Sequence, residues 1–148
     1  MATQWPRVKA WLVATIPTLP GLADVVVLNG REVVGDSPDR YVTVGFVTDD
    51  NGGTYQQVQA YDGSSWQEIG ELRSEIVAQA GDEDPSIAEA DCFAIADALD
   101  AEIRSSRTLG GTLSPEGTSE TTVEVRSESN EYGTATALVY VLRYTTIT

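Results

Sequence analysis

The sequence has no histidine and a single cysteine among its 148 residues. Without histidine, the chain has no Ser-His-Asp or Cys-His nucleophile pair and no imidazole ligand for zinc. The single cysteine, Cys92, has no partner for an internal disulfide, so cysteine usage only weakly constrains the redox compartment. These two absences remove many common catalytic and metal-binding arrangements before any motif is considered.

Long apolar runs and basic residues are also scarce. No apolar stretch approaches the roughly 20 residues that a membrane-spanning helix needs. The N-terminal segment "MATQWPRVKAWLVATIP" interleaves basic and apolar residues instead of separating them as a signal peptide does. Nine basic residues against 23 acidic ones give a formal net charge of -14, which repels nucleic-acid phosphates and favours solubility. We therefore expect an intracellular, soluble, single-domain protein spanning residues 1–148, with no membrane contact.

The hydrophobic pattern predicts two amphipathic helices. Near the N-terminus Trp5, Val8, Leu12 and Ile16 recur at helical spacing before the stop signals at Pro17 and "PG". A second helix follows "GDEDPS", which offers good capping residues. Its apolar stripe predicts one buried face and makes the lone cysteine a structural thiol. That stripe consists of Ala88, Cys92, Ile95, Leu99 and Ile103.

Strands are predicted where residues of strand-forming type alternate between apolar and polar positions. Val42, Val44 and Phe46 are expected on one face of their strand, and Val123 and Val125 are expected to point inward. "NG" at residues 29–30, followed by "EVV", suggests a hairpin turn. The last strand is apolar on both faces, which is typical of the middle of a sheet or of a strand that also faces a partner. The predicted strands cover residues 25–28, 41–48, 55–61, 68–80, 121–128 and 134–147.

Two of these strands carry the same charge pattern on the face expected to point outward. One interpretation is a solvated sheet face, and the other is a subunit interface in which complementary charges set the register between identical copies. The aromatic residues around the turn at residues 62–65 suit either an anchor in a partner's groove or packing over the core. The candidate interface residues are Tyr61, Trp66, Glu71, Arg73, Glu75, Glu124, Arg126 and Glu128.

Three short motifs could carry chemistry, and each has a simpler structural interpretation. The glycines of "RTLGGTLSPEG" (residues 107–117) follow a helix, whereas a phosphate loop precedes one, so they fit a turn between helix and strand. The acidic clusters "GDEDP" and "TDDNGG" lack the ligand spacing of a calcium loop and fit a helix cap and a hairpin turn. We therefore predict no catalytic, cofactor-binding or metal-binding residue, and no enzymatic activity.

Five segments succeed one another in a distinctive order. A short N-terminal helix is followed by "PDRYVTVGF" (residues 38–46) and by the long strand "GELRSEIVAQAGDED" (residues 70–84). A capped helix ending in "RTLGGTL" (residues 107–113) and the strand "TALVYVLRY" (residues 136–144) complete the series. This succession, over nearly the whole chain, resembles the tail terminator (tail completion) proteins of long-tailed, siphovirus-type bacteriophages. The resemblance implies an α/β fold of α+β type, with a single mixed, mostly antiparallel sheet packed against two helices and a protruding β-hairpin.

The resemblance also implies a structural virion protein that caps the tail tube as a homo-hexameric ring. Its partners would be other copies of itself, the major tail tube protein and the head-side neck connector. Genomic DNA would pass through an acidic lumen without specific binding. The protein would be made in the host cytoplasm and located at the tail–neck junction of the virion.

Three alternatives remain open at this point. A head-closure or adaptor protein of the neck shares the size, acidity and ring symmetry of a terminator. A metal-dependent hydrolase would use the acidic clusters, and a small binding module would belong to a cellular protein.

Overall fold

The structure is a computed structural model that describes residues 2–30, 39–48, 50–59, 63, 65–81, 85–130 and 133–147. It contains one mixed six-stranded sheet and two α-helices, so the α+β architecture expected from the sequence is confirmed. A 3-10 turn, Ile16–Thr18, extends the first helix. In chain order the elements are α1 Trp5–Thr15, β1 Val26–Asn29, β2 Arg40–Val44, β3 Gly53–Gln59, β4 Trp66–Gly81, α2 Pro85–Ser105, β5 Thr118–Asn130 and β6 Gly133–Ile147.

The long strand β4 organises the sheet. Along one edge it pairs with β6, and β6 pairs in turn with β5. Along its other edge, residues 66–72 pair with β3 and residues 74–78 pair with β2. Only the β1–β2 pairing is parallel among the strand pairings of the described chain. The sheet therefore has an end formed by β3, β4, β6 and β5, where the β3–β4 hairpin protrudes.

Both helices pack on the same side of the sheet, which we call the helix face. Alternation along β4 and β6 places Leu72, Ile76, Leu138 and Leu142 on this face, all of them fully buried. The apolar stripe predicted for α2 is buried against them, and Val8, Leu12 and Ile16 bring the first helix into the same cluster. The α-helical periodicity read from the sequence thus identifies both buried helix faces correctly.

Cys92 is a core residue, as the sequence predicted. Its side chain is fully buried, and the thiol lies 3.1 Å from the carbonyl oxygen of Thr136. Burial raises the pKa of this thiol to about 11, so it stays protonated at neutral pH. A protonated, enclosed thiol is a poor nucleophile, in keeping with a structural role.

A buried carboxylate fastens the start of α1 to the sheet. Glu68, on the helix face of β4, is completely buried and accepts hydrogen bonds from three neutral donors. These are the backbone N–H of Gln4 at 3.0 Å, Nε2 of Gln57 at 3.0 Å and the hydroxyl of Tyr144 at 2.7 Å. Burial raises the pKa of Tyr144 far above its ordinary value, and the bond to Glu68 adds to that shift. The negative carboxylate also lies at the helix N-terminus, where the helix dipole favours it.

The segment "RTLGGTL" forms the turn between α2 and β5. The helix ends at Ser105, and Leu109, Gly110 and Gly111 then adopt positive φ values of 53°, 64° and 87°. Leu109 and Leu113 are both buried in the core and hold the two sides of this turn. The prediction of a turn between helix and strand is confirmed, and Leu109 shares the left-handed backbone of the two glycines.

Two strand predictions were wrong in part. Strand β2 ends at Val44 because Gly45 takes a φ of +75°, so Phe46 does not continue its inward face. Val125 is 57% exposed although it shares a face with Val123, because it lies on an edge strand beyond the packed core. The second arm of the hairpin suggested after residues 29–30 lies outside the described residues, and the neighbour of β1 in the described chain is β2.

A substitution at Gly70 tests how tightly the ring of Tyr144 packs on the helix face of the sheet. A Cβ atom added there would lie 2.1 Å from Cζ of Tyr144, whose ring is buried and held by Glu68. We expect Gly70→Ala to lower the free energy of unfolding by about 1–3 kcal/mol, because the ring has no free space to move into. Urea denaturation measures this, with Thr54→Ala on the exposed surface of β3 as the control. Equal stability of the two variants would contradict the packing described.

Candidate functional site

The candidate interface charges lie on the side of the sheet opposite the helices. Cross-strand register aligns Glu75 with Val139 and Glu124, and the next row aligns Arg73 with Val141 and Thr122. The two charge stripes predicted from the sequence therefore lie on one face, separated by the width of β6. The structure brings Glu71, Arg73, Glu75, Glu124 and Arg126 together in this way.

A loop between β2 and β3 covers the middle of this face. We call it the strap (residues 45–48 and 50–52) and name the covered side the strap face. The strap closes on itself, since a Cβ atom on Gly52 would lie 2.1 Å from the carbonyl oxygen of Gly45. Val47 forms a second small apolar cluster with Val139 and Val141 of β6. Strand β6 is thus buried on both faces, which explains its two-sided apolar sequence.

A network of ion pairs surrounds the strap. Arg73, whose side chain is only 12% exposed, lies at its centre and contacts Asp50 at 2.9 Å, Glu71 at 3.2 Å and Glu124 at 3.4 Å. Arg126 reaches Asp50 at 3.5 Å and donates to the carbonyl oxygen of Thr48 at 3.3 Å. The network therefore links strap, β4 and β5 through shared carboxylates.

The remaining strap contacts are hydrogen bonds to β4. The backbone N–H of Arg73 donates to the carbonyl of Gly52 at 2.9 Å. Glu75 accepts bonds from the backbone N–H of Thr48 at 3.0 Å and from its hydroxyl at 3.2 Å. Glu75 is consequently only 8% exposed, so the interpretation of this face as solvated does not hold for Glu75. The strap covers Glu75, and the carboxylate of Glu75 binds the strap through Thr48.

Asp50 has an electrostatic environment that favours its charged form. Its carboxylate accepts a bond from the backbone N–H of Asn51 at 2.8 Å and faces the guanidinium groups of Arg73 and Arg126. The Asn51 bond, followed by the two arginines, lowers the pKa of Asp50 below its ordinary value. Asp50 is therefore ionised throughout the neutral range.

Of the other predicted interface residues, Trp66 does not join this cluster. Trp66 begins β4, seven residues before Arg73, and strand alternation places it on the helix face. The backbone of Glu128 pairs with Ala135, and its side chain lies outside the described structure, as does Tyr61. Trp66 and the charged stripes therefore lie on opposite faces of the sheet.

Sequence reasoning missed the residues that hold the strap. Val47, Thr48 and Asp50 belong to the segment around "TDDNGG", which was interpreted as a hairpin turn or weak metal cluster. Arg143, which contacts Glu71 at 3.1 Å, was assigned only to a buried strand. The glycines at 45, 52 and 53 were the available signal, because they mark a chain that leaves a strand and returns.

The geometry of the charged cluster suits attachment of a loop. Each of the carboxylates of Asp50, Glu71 and Glu124 already faces an arginine. In the described parts of the chain no group of three acidic or cysteine side chains is arranged to hold a metal ion. Asp49 and residues 82–84, which belong to the two acidic motifs, lie outside those parts.

An exposed apolar patch occupies the protruding end of the strap face. Val58, Ile69 and Ile147 share this face by register and are 45%, 48% and 42% exposed. Val58 and Ile147 flank Gln67 in one cross-strand row, and Ile69 lies in the next row. A shallow groove of about 180 Å³, lined in part by Ile69, Arg143 and Thr145, adjoins the patch. We call Val58, Ile69 and Ile147 the end patch.

No protein-family model matches the chain, and no curated protein sequence shows significant similarity to it. Neither helix in the described part of the chain has the length and apolar character needed to cross a membrane.

The lowered pKa of Asp50 predicts an acid-sensitive strap. The ionised Asp50 carboxylate contributes fully to stability above the unfolded-state pKa of about 3.9. This contribution is lost as the pH falls through the lower pKa that Asp50 has in the folded state. We expect the methyl NMR signals of Val47 to report a fixed strap from neutral pH to about pH 4 and release below it. Asp50→Asn should loosen the strap at neutral pH and reduce the change in the Val47 signals between neutral and acidic pH.

Comparing wild type with Asp50→Asn separates the effect of Asp50 on the pH dependence of strap attachment from the effect of the neighbouring glutamates. Asp97→Asn, which removes an exposed carboxylate on α2, provides the control. Identical Val47 profiles for wild type and Asp50→Asn would show that the ion pairs do not hold the strap.

Proposed function

We propose that this protein is a tail terminator, a subunit that assembles into a ring on the end of a phage tail tube and stops its growth. The ring would present its other side to the head-side connector. The proposal starts from the succession of segments in the sequence. Three features of the molecule support it and are taken in turn below.

The segments of the resemblance correspond to the main structural elements. Helix α1, the long strand β4, helix α2 with its following turn, and the central strand β6 occur in the expected order. They form one mixed sheet packed against two helices, as the resemblance implies. The architecture is therefore compatible with the proposal and supports it.

The end patch is the observation that carries the proposal. Its three aliphatic side chains project from strands, on a surface where the neighbouring positions are polar, and nearly half of each is in contact with solvent. Large aliphatic residues grouped on an exposed sheet surface mark protein–protein contacts. The patch lies where the β3–β4 hairpin protrudes, so another subunit could reach it without displacing the strap.

The charge distribution supports a passage for DNA. The formal net charge is -14, and several of the few arginines are used inside the strap network. A ring of such subunits would offer an acidic interior that repels phosphates, so DNA would slide without binding.

Electron microscopy tests the assembly. Purified protein should form rings in negative stain, or should form them when added to tubes of the major tail protein, and tube growth should stop where they bind. A protein that stays monomeric and also ignores tail tubes would rule the function out. Binding to portal or adaptor proteins without binding to the tail tube would instead identify a neck protein.

A single substitution tests the end patch. Ile69→Lys places a charge among the three aliphatic side chains, and we expect it to abolish tube capping because an unpaired charge would become buried in the contact. Its unfolding free energy should change by no more than about 0.5 kcal/mol, because position 69 is half exposed in the monomer. Ala14→Lys on the exposed side of α1 provides the control. Normal tube capping by Ile69→Lys would show that the end patch is not part of the interface.

A further inference from the structure

A groove runs between the last turn of α2 and strand β5, on the helix side of the sheet. It has a volume of about 380 Å³. Ile103 contributes an apolar wall, and Ser119 and Thr121 contribute polar ones. Arg104 and Arg107 form its rim, and both are exposed. We call these two residues the basic rim.

The interior of the groove is held by internal hydrogen bonds. Asp100 accepts bonds from the hydroxyls of Thr121 and Tyr140, both at 2.7 Å. Ser119 donates to the carbonyl of Arg107 at 3.0 Å, and the Arg107 guanidinium donates to the carbonyl of Pro115 at 3.2 Å. Of the two acidic residues that line the groove, Asp100 and Glu120, the first is therefore engaged, and the rim is fixed at one point.

The two arginines of the basic rim form no ion pair within the described residues, as is also true of Arg7 and Lys9 on α1. The arginines that do contact a carboxylate are Arg40, Arg73, Arg126 and Arg143. Arg104 lies in the last turn of α2, where a cation offsets the helix dipole. Arg107 lies beyond the helix end, so the dipole alone does not account for the pair.

Charge complementarity identifies an occupant for this rim. A polyanion is disfavoured by the net charge of -14 and by the negative end of the helix dipole. Separate carboxylates on a protein surface can instead pair with the two guanidinium groups. Helix α2 itself exposes Glu89 and Asp97 along its earlier turns, and we call these two residues the acidic flank. Glu89 and Arg104 are separated by about 22 Å along the helix axis.

We propose that the basic rim of one subunit binds the acidic flank of α2 in a second copy. This inference rests on the proposed function, because it names the charged contact between neighbouring subunits of the ring. Asp97 and Arg104 lie seven residues apart on α2, so the rim and the flank share one side of the helix. A rim-to-flank contact can therefore close a two-fold dimer or repeat head-to-tail from copy to copy. Head-to-tail contacts close into a ring when the rotation between subunits divides a full turn.

Paired charge reversals test the contact. Arg104→Glu with Arg107→Glu, and separately Glu89→Arg with Asp97→Arg, should each weaken self-association by about tenfold or more, because like charges then face each other. An equimolar mixture of the two double variants should restore association, since their surfaces are complementary. A variant with all four reversals should associate with itself and exclude the wild type.

Native mass spectrometry and sedimentation at low and high salt measure these effects, with circular dichroism to verify folding. Arg7→Glu is the control for Arg104→Glu, because it makes the same charge change on exposed α1. Raising the salt concentration should weaken the self-association of the wild type, and the ranking of the variants by association strength should stay the same.

The outcomes separate the contact from the function. Rings that form equally well in all reversal variants would overturn the contact and leave the terminator proposal standing. Association that depends on these charges but ends at a dimer would support the contact and overturn the ring. A wild type that remains monomeric in solution would overturn the contact, while its behaviour on tail tubes decides the function.

Discussion

The pairing of β6 between β4 and β5 is the constraint on which the rest of this structure depends. Strand β6 is apolar on both faces, so each face of the sheet needs a cover. The two helices cover one face with a continuous core. The strap covers the other by placing Val47 on Val139 and Val141. The strap is thus required by the amino-acid pattern of a strand that lies distant from it in the sequence.

Electrostatics determine where the strap lies. Two or three valines give little directional preference, because apolar contact is roughly proportional to area and has no angular requirement. Arg73 fixes the position of the strap, because its nearly buried guanidinium contacts three carboxylates from different segments. Removing charges from water is costly, and such networks are retained more plausibly for positional specificity than for net stability. The end patch and the basic rim lie apart from this network, which leaves them accessible to other chains.

The candidate site was recognised in part from the sequence, because alternating charge identifies a strand face even when its neighbours are unknown. The pattern at residues 71–75 and 124–126 assigned these charges to the side of each strand away from its apolar residues, and in the structure they lie on the face opposite the helices. It did not show that Glu75 would be covered, nor that Asp50 would bridge Arg73 and Arg126. The use of these residues as a subunit interface remains a prediction. Their internal bonds make the end patch and the basic rim the better-exposed candidates for contact between subunits.

The sequence by itself determined the helix stripes, the long strand β4, the two-sided apolar pattern of β6 and the turn that follows α2. These features follow from local periodicity and backbone preference, which act over a few residues. Only the tertiary structure decided the strap, the buried state of Glu75 and the meeting of Arg73 with Glu124. Those contacts depend on strand register and on glycine-dependent turns such as Gly45, and their hydrogen bonds join residues up to 78 positions apart. Periodicity indicates which face of an element is covered, but the segment that covers it is selected by long-range pairing.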